Sequence, residues 1–278
     1  MNDARPRPVV GRRTPPTAPP TAPPATPHTA LGGPRPGSAV PRRILALDTA
    51  TMVAAVALGD EDGRLLGEVS WTAGYRHGEE LLARIDGLLE DHATALGDLG
   101  AIVVGTGPGA FTGLRVGLAT AKGLAHGLAI PIVGVPTSTA LLRAALAAGI
   151  GAPAGSRTAG TSHSGCALLL PAGPSDRVLA VDEGVRLLPA GTEPELAPGT
   201  TVIAIDLPGR APEAACERGE LTRARLGQTL LRIGAERLAS GNADDLARLV
   251  PEYVTLPRGI GVGREPRQQD VAWSRDPR

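Results

Sequence analysis

The chain has 278 residues, of which 42% are hydrophobic and only 2% aromatic, and its 28 basic and 28 acidic residues give a formal net charge of zero. That length holds one large domain or two small ones. Its two cysteines, Cys166 and Cys216, make neither a disulfide framework nor a metal site, and its apolar runs are too short to cross a bilayer.

Residues 1–42 read as a Pro-rich tail. Twelve prolines fall in residues 1–43 with almost no aliphatic clustering, so this stretch cannot bury a core and is expected to be disordered. It has no apolar signal region, and its prolines forbid the amphipathic helix of an organelle transit peptide. Residues 258–278 read as a second loose tail. The tails hide the charge of the body: residues 1–43 carry a net +6 and residues 258–278 a net +2, which leaves about −8 on residues 44–257. A body that gripped nucleic acid would need the opposite sign.

Three strands are expected first, at 44–48, 53–58 and 63–71, as a β-meander. The tip between the first two is Asp48-Thr49-Ala50-Thr51. An amphipathic helix follows over 77–92, with Leu81, Leu82, Ile85, Leu88 and Leu89 on one face. His77 opens it beside Glu79 and Glu80, but position 81 is Leu, so there is no His-Glu-x-x-His metal pair. A strand at 101–104 runs into Gly105-Thr106-Gly107-Pro108-Gly109 and then a helix over 113–128, with Thr112 as its N-cap. A strand at 131–135 and a helix at 137–148 complete a first subdomain, 43–149. Residues 150–165, rich in Gly, Ser, Thr and Ala, read as a linker. Weaker strands at 166–170, 177–181, 185–188 and 201–205 belong to a second subdomain, 150–257. A helix at 222–240 returns to the first, and Pro251-Glu252-Tyr253-Val254 closes the body.

Four features bear on chemistry. The glycine loop ends in Thr112-Gly113-Leu114 where a Walker loop needs Gly-Lys-Ser/Thr, and the only lysine of the chain, Lys122, lies inside the helix. Gly107 and Gly109 therefore belong either to a structural turn or to a backbone cradle for phosphate. Asp48, Thr49 and Thr51 either face a phosphate and its hydrated metal or bond their own turn. Gly113, Gly117, Ala121 and Ala125 form a small-residue stripe at four-residue spacing, which lets a helix approach closely, inside the chain or from a partner. Ile203-Ala204-Ile205-Asp206, followed by Leu207-Pro208-Gly209, is the one faint candidate for a second phosphate loop.

Taken in order, Ile44 to Leu58, Tyr75-Arg76-His77-Gly78-Glu79-Glu80-Leu81-Leu82, the glycine loop, Ala121-Lys122-Gly123-Leu124-Ala125 and Ile130 to Ser138 resemble the TsaB family. This is the dimerisation subunit of the bacterial machinery that makes threonylcarbamoyladenosine in tRNA, and the resemblance covers about residues 43–145. It implies an α/β fold of the actin-like, Hsp70-like ATPase (ribonuclease H-like) class with two subdomains. It implies a cytoplasmic, non-catalytic scaffold that pairs with a TsaD-like catalytic subunit and meets a TsaE-like ATPase through the complex. Contact with tRNA would be indirect, there would be no membrane, and a homodimer would form when the partner is absent. ATP or ADP would bind weakly or in the complex.

The resemblance also implies site residues. His77, Glu80, Leu81 and Arg84, with the stripe Gly113, Gly117, Ala121 and Ala125, would meet the matching helices of the catalytic paralogue in a bundle. That paralogue binds its metal through two histidines after the Ile-Pro-x-Val-Gly-Val strand, and Thr137 and Leu141 stand at those positions here. No metal or catalytic residue is therefore assigned to this chain. One stretch departs from the family: Leu170-Pro171-Ala172-Gly173-Pro174-Ser175-Asp176-Arg177 has prolines where an Asp-Ala-Arg-like turn is expected. The rival functions are a small-molecule kinase of the same fold and a metallopeptidase.

Overall fold

The computed structural model describes residues 42–73, 77–151, 165–181 and 184–254, without the side chains of His77 and Glu79. The two tails, Tyr75-Arg76 and most of the 150–165 linker lie outside these residues. Both sheets belong to one compact unit. The first sheet has the order β3-β2-β1-β4-β5. Its strands are β1 (Arg43–Asp48), β2 (Val53–Gly59), β3 (Leu65–Thr72), β4 (Leu99–Gly107) and β5 (Ile132–Pro136). β1, β2 and β3 pair antiparallel as the expected meander, and β4 and β5 add in parallel.

The period of two in these strands sets the layers. Leu45 and Leu47 of β1 and Ile102 and Val104 of β4 face one way. They are covered by α1 (His77–Asp91) and α2 (Phe111–Leu128) through Leu81, Ile85, Leu88, Leu118 and Ala121. Ile44, Ala46, Ala101 and Val103 face the other way, under α3 (Thr137–Ala147) and α5 (Leu226–Ala239). This second core continues beneath the second sheet, whose order is β8-β7-β6-β9. That sheet comprises β6 (Cys166–Ala172), β7 (Asp176–Val181), β8 (Gly184–Leu188) and β9 (Thr201–Ala204). Its far face packs on Ala215 of α4 (Glu213–Arg223).

Three expectations need correction. Leu82 is 57% exposed rather than on the apolar face of α1, because Leu81, Ile85, Leu88 and Leu89 already fill the inward stripe and Leu82 lies about 100° away. α2 begins at Phe111 with Ala110 as an N-cap that lacks a side-chain bond, so Thr112 sits within the first turn. The Ala110 amide is instead tied to the Ala50 carbonyl at 2.7 Å, which fixes the entry of the helix two residues early. The helix expected at 222–240 is two helices, α4 and α5, broken at Ala224 and Arg225.

After α5 the chain runs back along the first sheet as a strap. Asp244 bridges to Ile132 of β5, accepts from the Gly134 amide at 2.7 Å and pairs with Arg237 at 3.0 Å. Lys122 donates to the Leu249 carbonyl at 3.1 Å. The Glu252 amide donates to the Thr106 carbonyl at 2.8 Å, and the Tyr253 ring stacks on Phe111 with centroids 5.1 Å apart. The strap covers the open edge of β5, which would otherwise be a template for pairing.

Candidate functional site

β1 and β4 are parallel neighbours, so the loops at their carboxyl ends meet. Asp48, Thr49, Thr51, Gly107 and Gly109, singled out from separate stretches of sequence, converge there. Asp48 is fully buried. One of its oxygens accepts the Ala50 amide at 2.8 Å and the other the Thr137 hydroxyl at 2.6 Å. Thr137 in turn accepts the Gly107 amide at 3.0 Å. Thr49 donates to the Gly113 carbonyl and Thr51 to the Val53 carbonyl, both at 2.7 Å. The residues at 105 and 117 must be glycine, since an added Cβ would run into the Asp48 carboxylate and the Thr49 hydroxyl respectively. The hydroxyls and several amides of this loop are therefore bonded within the chain.

Burial pushes the Asp48 carboxyl up to about 6, against the opposing pull of the Thr137 hydroxyl and the Ala50 amide. Burial also raises Glu68 and Glu252. A carboxyl raised in the folded state favours folding when protonated. Its contribution is complete below its unfolded value near 3.8 and is lost as the pH rises through about 6. From Asp48 alone the loss is about 3 kcal/mol over that window. Asp48→Asn is expected to remove this component, so denaturant unfolding at pH 4 and pH 7 should show a smaller drop for the variant than for the natural chain. An equal drop in both would show that Asp48 does not titrate in this window.

Between the two sheets lies a cavity of about 450 Å³. Ala50, Met52, Gly109 and Phe111 form one wall, the Pro171 to Pro174 turn and Asp206 the other, with Tyr253 and Val254 of the strap at the side. The divergent turn thus faces the same cleft as the first loop. Asp206 reaches across: one oxygen accepts the Met52 amide at 2.6 Å and the other pairs with Arg223 at 2.8 Å. Asp206 was legible as a faint second loop, but Arg223 carried no signal, because it lies in a polar helix whose packing no period announces.

Thr137 and Leu141, the positions at which the resemblance would place metal histidines, do not fit a metal. The Thr137 hydroxyl is spent on Asp48 and Gly107, and Leu141 is fully buried in the core without a donor atom. Among the described residues, no three His, Cys, Asp or Glu side chains cluster as a ligand set. Elemental analysis of the dialysed protein is expected to find well below one transition metal per chain. About one per chain would overturn the reading of these positions.

The residues expected at a partner interface divide. Glu80 is half-buried, and Arg84 is exposed with its guanidinium 5.5 Å from the Trp71 ring centroid. The side chain of His77 lies outside the described residues. Leu81 is a correction: it is fully buried against the first sheet and cannot touch a partner. The stripe Gly113, Gly117, Ala121 and Ala125 is a second correction. All four residues are buried, with Gly117 against Thr49 and Leu47 and with Ala121 and Ala125 in the core beneath α1 and α2. The stripe lets α2 sit close on its own sheet. The outward face of the same two helices carries Leu82, Ala83 and Asp86 on α1 and Arg115, Ala119 and Gly123 on α2, all exposed.

Among the described residues, no helix is long and apolar enough to cross a membrane. Residues 69–156 match the family described as TsaD, tRNA N6-adenosine threonylcarbamoyltransferase. Over 95 residues the chain is 40% identical to the tRNA threonylcarbamoyladenosine biosynthesis protein TsaB of Escherichia coli, covering 34% of this chain and 40% of that protein. An uncharacterised protein of Mycobacterium tuberculosis is 44% identical over 93 residues, 33% of this chain and 44% of that one. The matched stretch thus spans less than half the length of these curated relatives. The solved structure of YeaZ from Pseudomonas aeruginosa superposes with a TM-score of 0.55 at 22% identity, over 76% of this chain and 99% of that chain. The two share one fold, an α/β fold with two subdomains, as the sequence leads one to expect.

Proposed function

We propose that this chain is a TsaB-family protein, the non-catalytic subunit that pairs with a TsaD-like catalytic subunit to modify tRNA with threonylcarbamoyladenosine. The names of its curated relatives support a role in this biosynthesis. The observation that carries the non-catalytic reading is the self-satisfied loop: Asp48, Thr49 and Thr51 bond their own chain, and the histidine positions hold Thr137 and Leu141. A loop whose hydroxyls and several amides are spent within the chain has less left for a nucleotide, so ATP or ADP would bind weakly or only in the complex.

The contribution of the chain is then thermodynamic. A partner that binds only the competent conformation of the catalytic subunit shifts the population towards it. The outward face of α1 and α2 supplies the contact: Leu82 is a large apolar side chain left in water, and Gly123 keeps the neighbouring helix low. The same face would serve a homodimer when the partner is missing. A TsaE-like ATPase would be met through the complex, in the cytoplasm, and tRNA through the catalytic subunit, in keeping with the acidic body. A small-molecule kinase would need an open loop, and Asp206 instead accepts from it.

The test is co-purification of the full chain from native extract at physiological salt, with mass-spectrometric identification of what accompanies it. A TsaD-like protein in near-equal amount is expected. Recovery of the chain alone, or ATP turnover by it with a small-molecule acceptor, would overturn the proposal.

A further inference from the structure

Resting on the pairing proposed above, we propose that Arg115 is the charged anchor of the outward face of α1 and α2, preset to hold a carboxylate on the surface of the TsaD-like subunit. The chain has one Phe and two Tyr in its 278 residues. Two of these three rings meet at Arg115. Phe111 lies one helical turn before it on α2, a spacing that brings side chains together. The guanidinium carbon sits 3.8 Å from the Phe111 ring centroid. Tyr253 of the strap packs on the same ring, and its hydroxyl accepts from Arg115 Nε at 3.1 Å. Arg115 is nevertheless exposed, and among the described residues its two Nη groups have no hydrogen-bond or ion-pair partner.

An exposed arginine ordinarily samples many rotamers, and ordering it weakens any contact it makes. Here the stacking and the Nε bond hold the fork during folding, before a partner arrives, and leave its Nη end open. Two parallel N–H donors in a fixed plane match a carboxylate bidentately. The surroundings point to a carboxylate carried by a protein. Arg115, Ala119 and Gly123 follow one another at four-residue spacing, all exposed, and Leu82 of α1 is exposed on the same outward face. A helix laid along Ala119 and Gly123 comes close, and an Asp or Glu on it reaches the fork. The acidic body opposes a nucleic-acid backbone at this face.

The test is calorimetric binding of the full-length chain to the TsaD-like subunit at about 50 and 500 mM salt. Arg115→Met keeps a straight side chain over Phe111 and should leave the melting temperature unchanged, while affinity falls at least about tenfold at low salt. Because the lost contact is ionic, the difference from the natural chain should shrink at high salt. Tyr253→Phe keeps the ring and removes the acceptor of the Nε bond. It should weaken binding about threefold in the natural background and not at all beside Arg115→Met, a coupling that a merely structural role would not give. An equal loss in both backgrounds would overturn the role of Tyr253 in presetting the anchor. Gly123→Arg serves as the control for the face itself. If it abolishes binding while Arg115→Met keeps the natural affinity at both salt concentrations, the anchor is overturned and the pairing stands. If neither variant weakens binding, or if the natural chain does not bind the TsaD-like subunit, the anchor falls together with the face or the pairing. Inorganic phosphate and ATP are titrated separately against the chain alone. Binding of either that is lost in Arg115→Met would make the occupant a small anion, and would overturn the proposal.

Discussion

Gly117→Arg is expected to give little or no folded protein. Position 117 is buried, and a Cβ there already meets the Thr49 hydroxyl, with Leu47 Cδ1 at 3.5 Å behind it. The arginine has no route to water past β1. Overpacking such a contact costs about 1–3 kcal/mol, and an unpaired buried charge a further 3–5 kcal/mol or so. Total stabilities of roughly 5–15 kcal/mol leave little after that loss. The Thr49 to Gly113 bond that fixes the loop against α2 would break as well. Circular dichroism and the soluble yield of the variant check this. A natively folded Gly117→Arg chain would mean that α2 does not lie on β1 as described.

Gly123→Arg is expected to do the opposite: fold normally and lose its partner. Position 123 is exposed, and an added Cβ finds nothing within 4 Å. Replacing a mid-helix glycine should even favour α2 by about 0.5–1 kcal/mol. In a helix-to-helix contact, however, the long side chain holds the partner off and leaves its charge in a dry place. That costs on the order of 3–5 kcal/mol, roughly a hundredfold to several-thousandfold in affinity for the TsaD-like subunit. Leu82→Asp on α1 should add to the loss without touching the fold, since Leu82 is exposed. Melting temperature and calorimetric affinity are read together. A folded Gly123→Arg chain that keeps its natural affinity removes this face from the interface.

These two glycines also mark how far sequence reasoning reaches in this chain. In β1 the apolar run Ile44 to Leu47 is legible as a strand, and because strand side chains alternate, Leu45 and Leu47 enter one core and Ile44 and Ala46 the other. In α2 the same reasoning fails. Small residues occur on both sides, Gly113, Gly117, Ala121 and Ala125 inside and Ala119, Gly123 and Gly127 outside, and Gly or Ala carries almost no apolar signal of direction. Only the sheet beneath decides which stripe is buried. Asp48 and Gly107 are each legible at a strand-to-loop transition, and the parallel pairing of β1 with β4 brings them together. The role of Thr137 is not legible, because its hydroxyl stitches residues 89 and 30 positions away. The strap was equally hidden. Arg237, Asp244 and Gly134 meet through long-range pairing that no local period records. α4 has mostly polar residues, buries only Ala215, Gly219 and Thr222, and so looks like a loop in sequence.

The central claim is that this chain is needed for threonylcarbamoyl transfer to tRNA without carrying out the chemistry. It is tested most directly by the threonylcarbamoyladenosine content of tRNA, measured by mass spectrometry of nucleosides, in cells depleted of this chain while the TsaD-like subunit is kept at its normal level. The account predicts loss of the modified nucleoside, restored by the natural chain and not by Gly123→Arg. Unchanged threonylcarbamoyladenosine after complete depletion would contradict it.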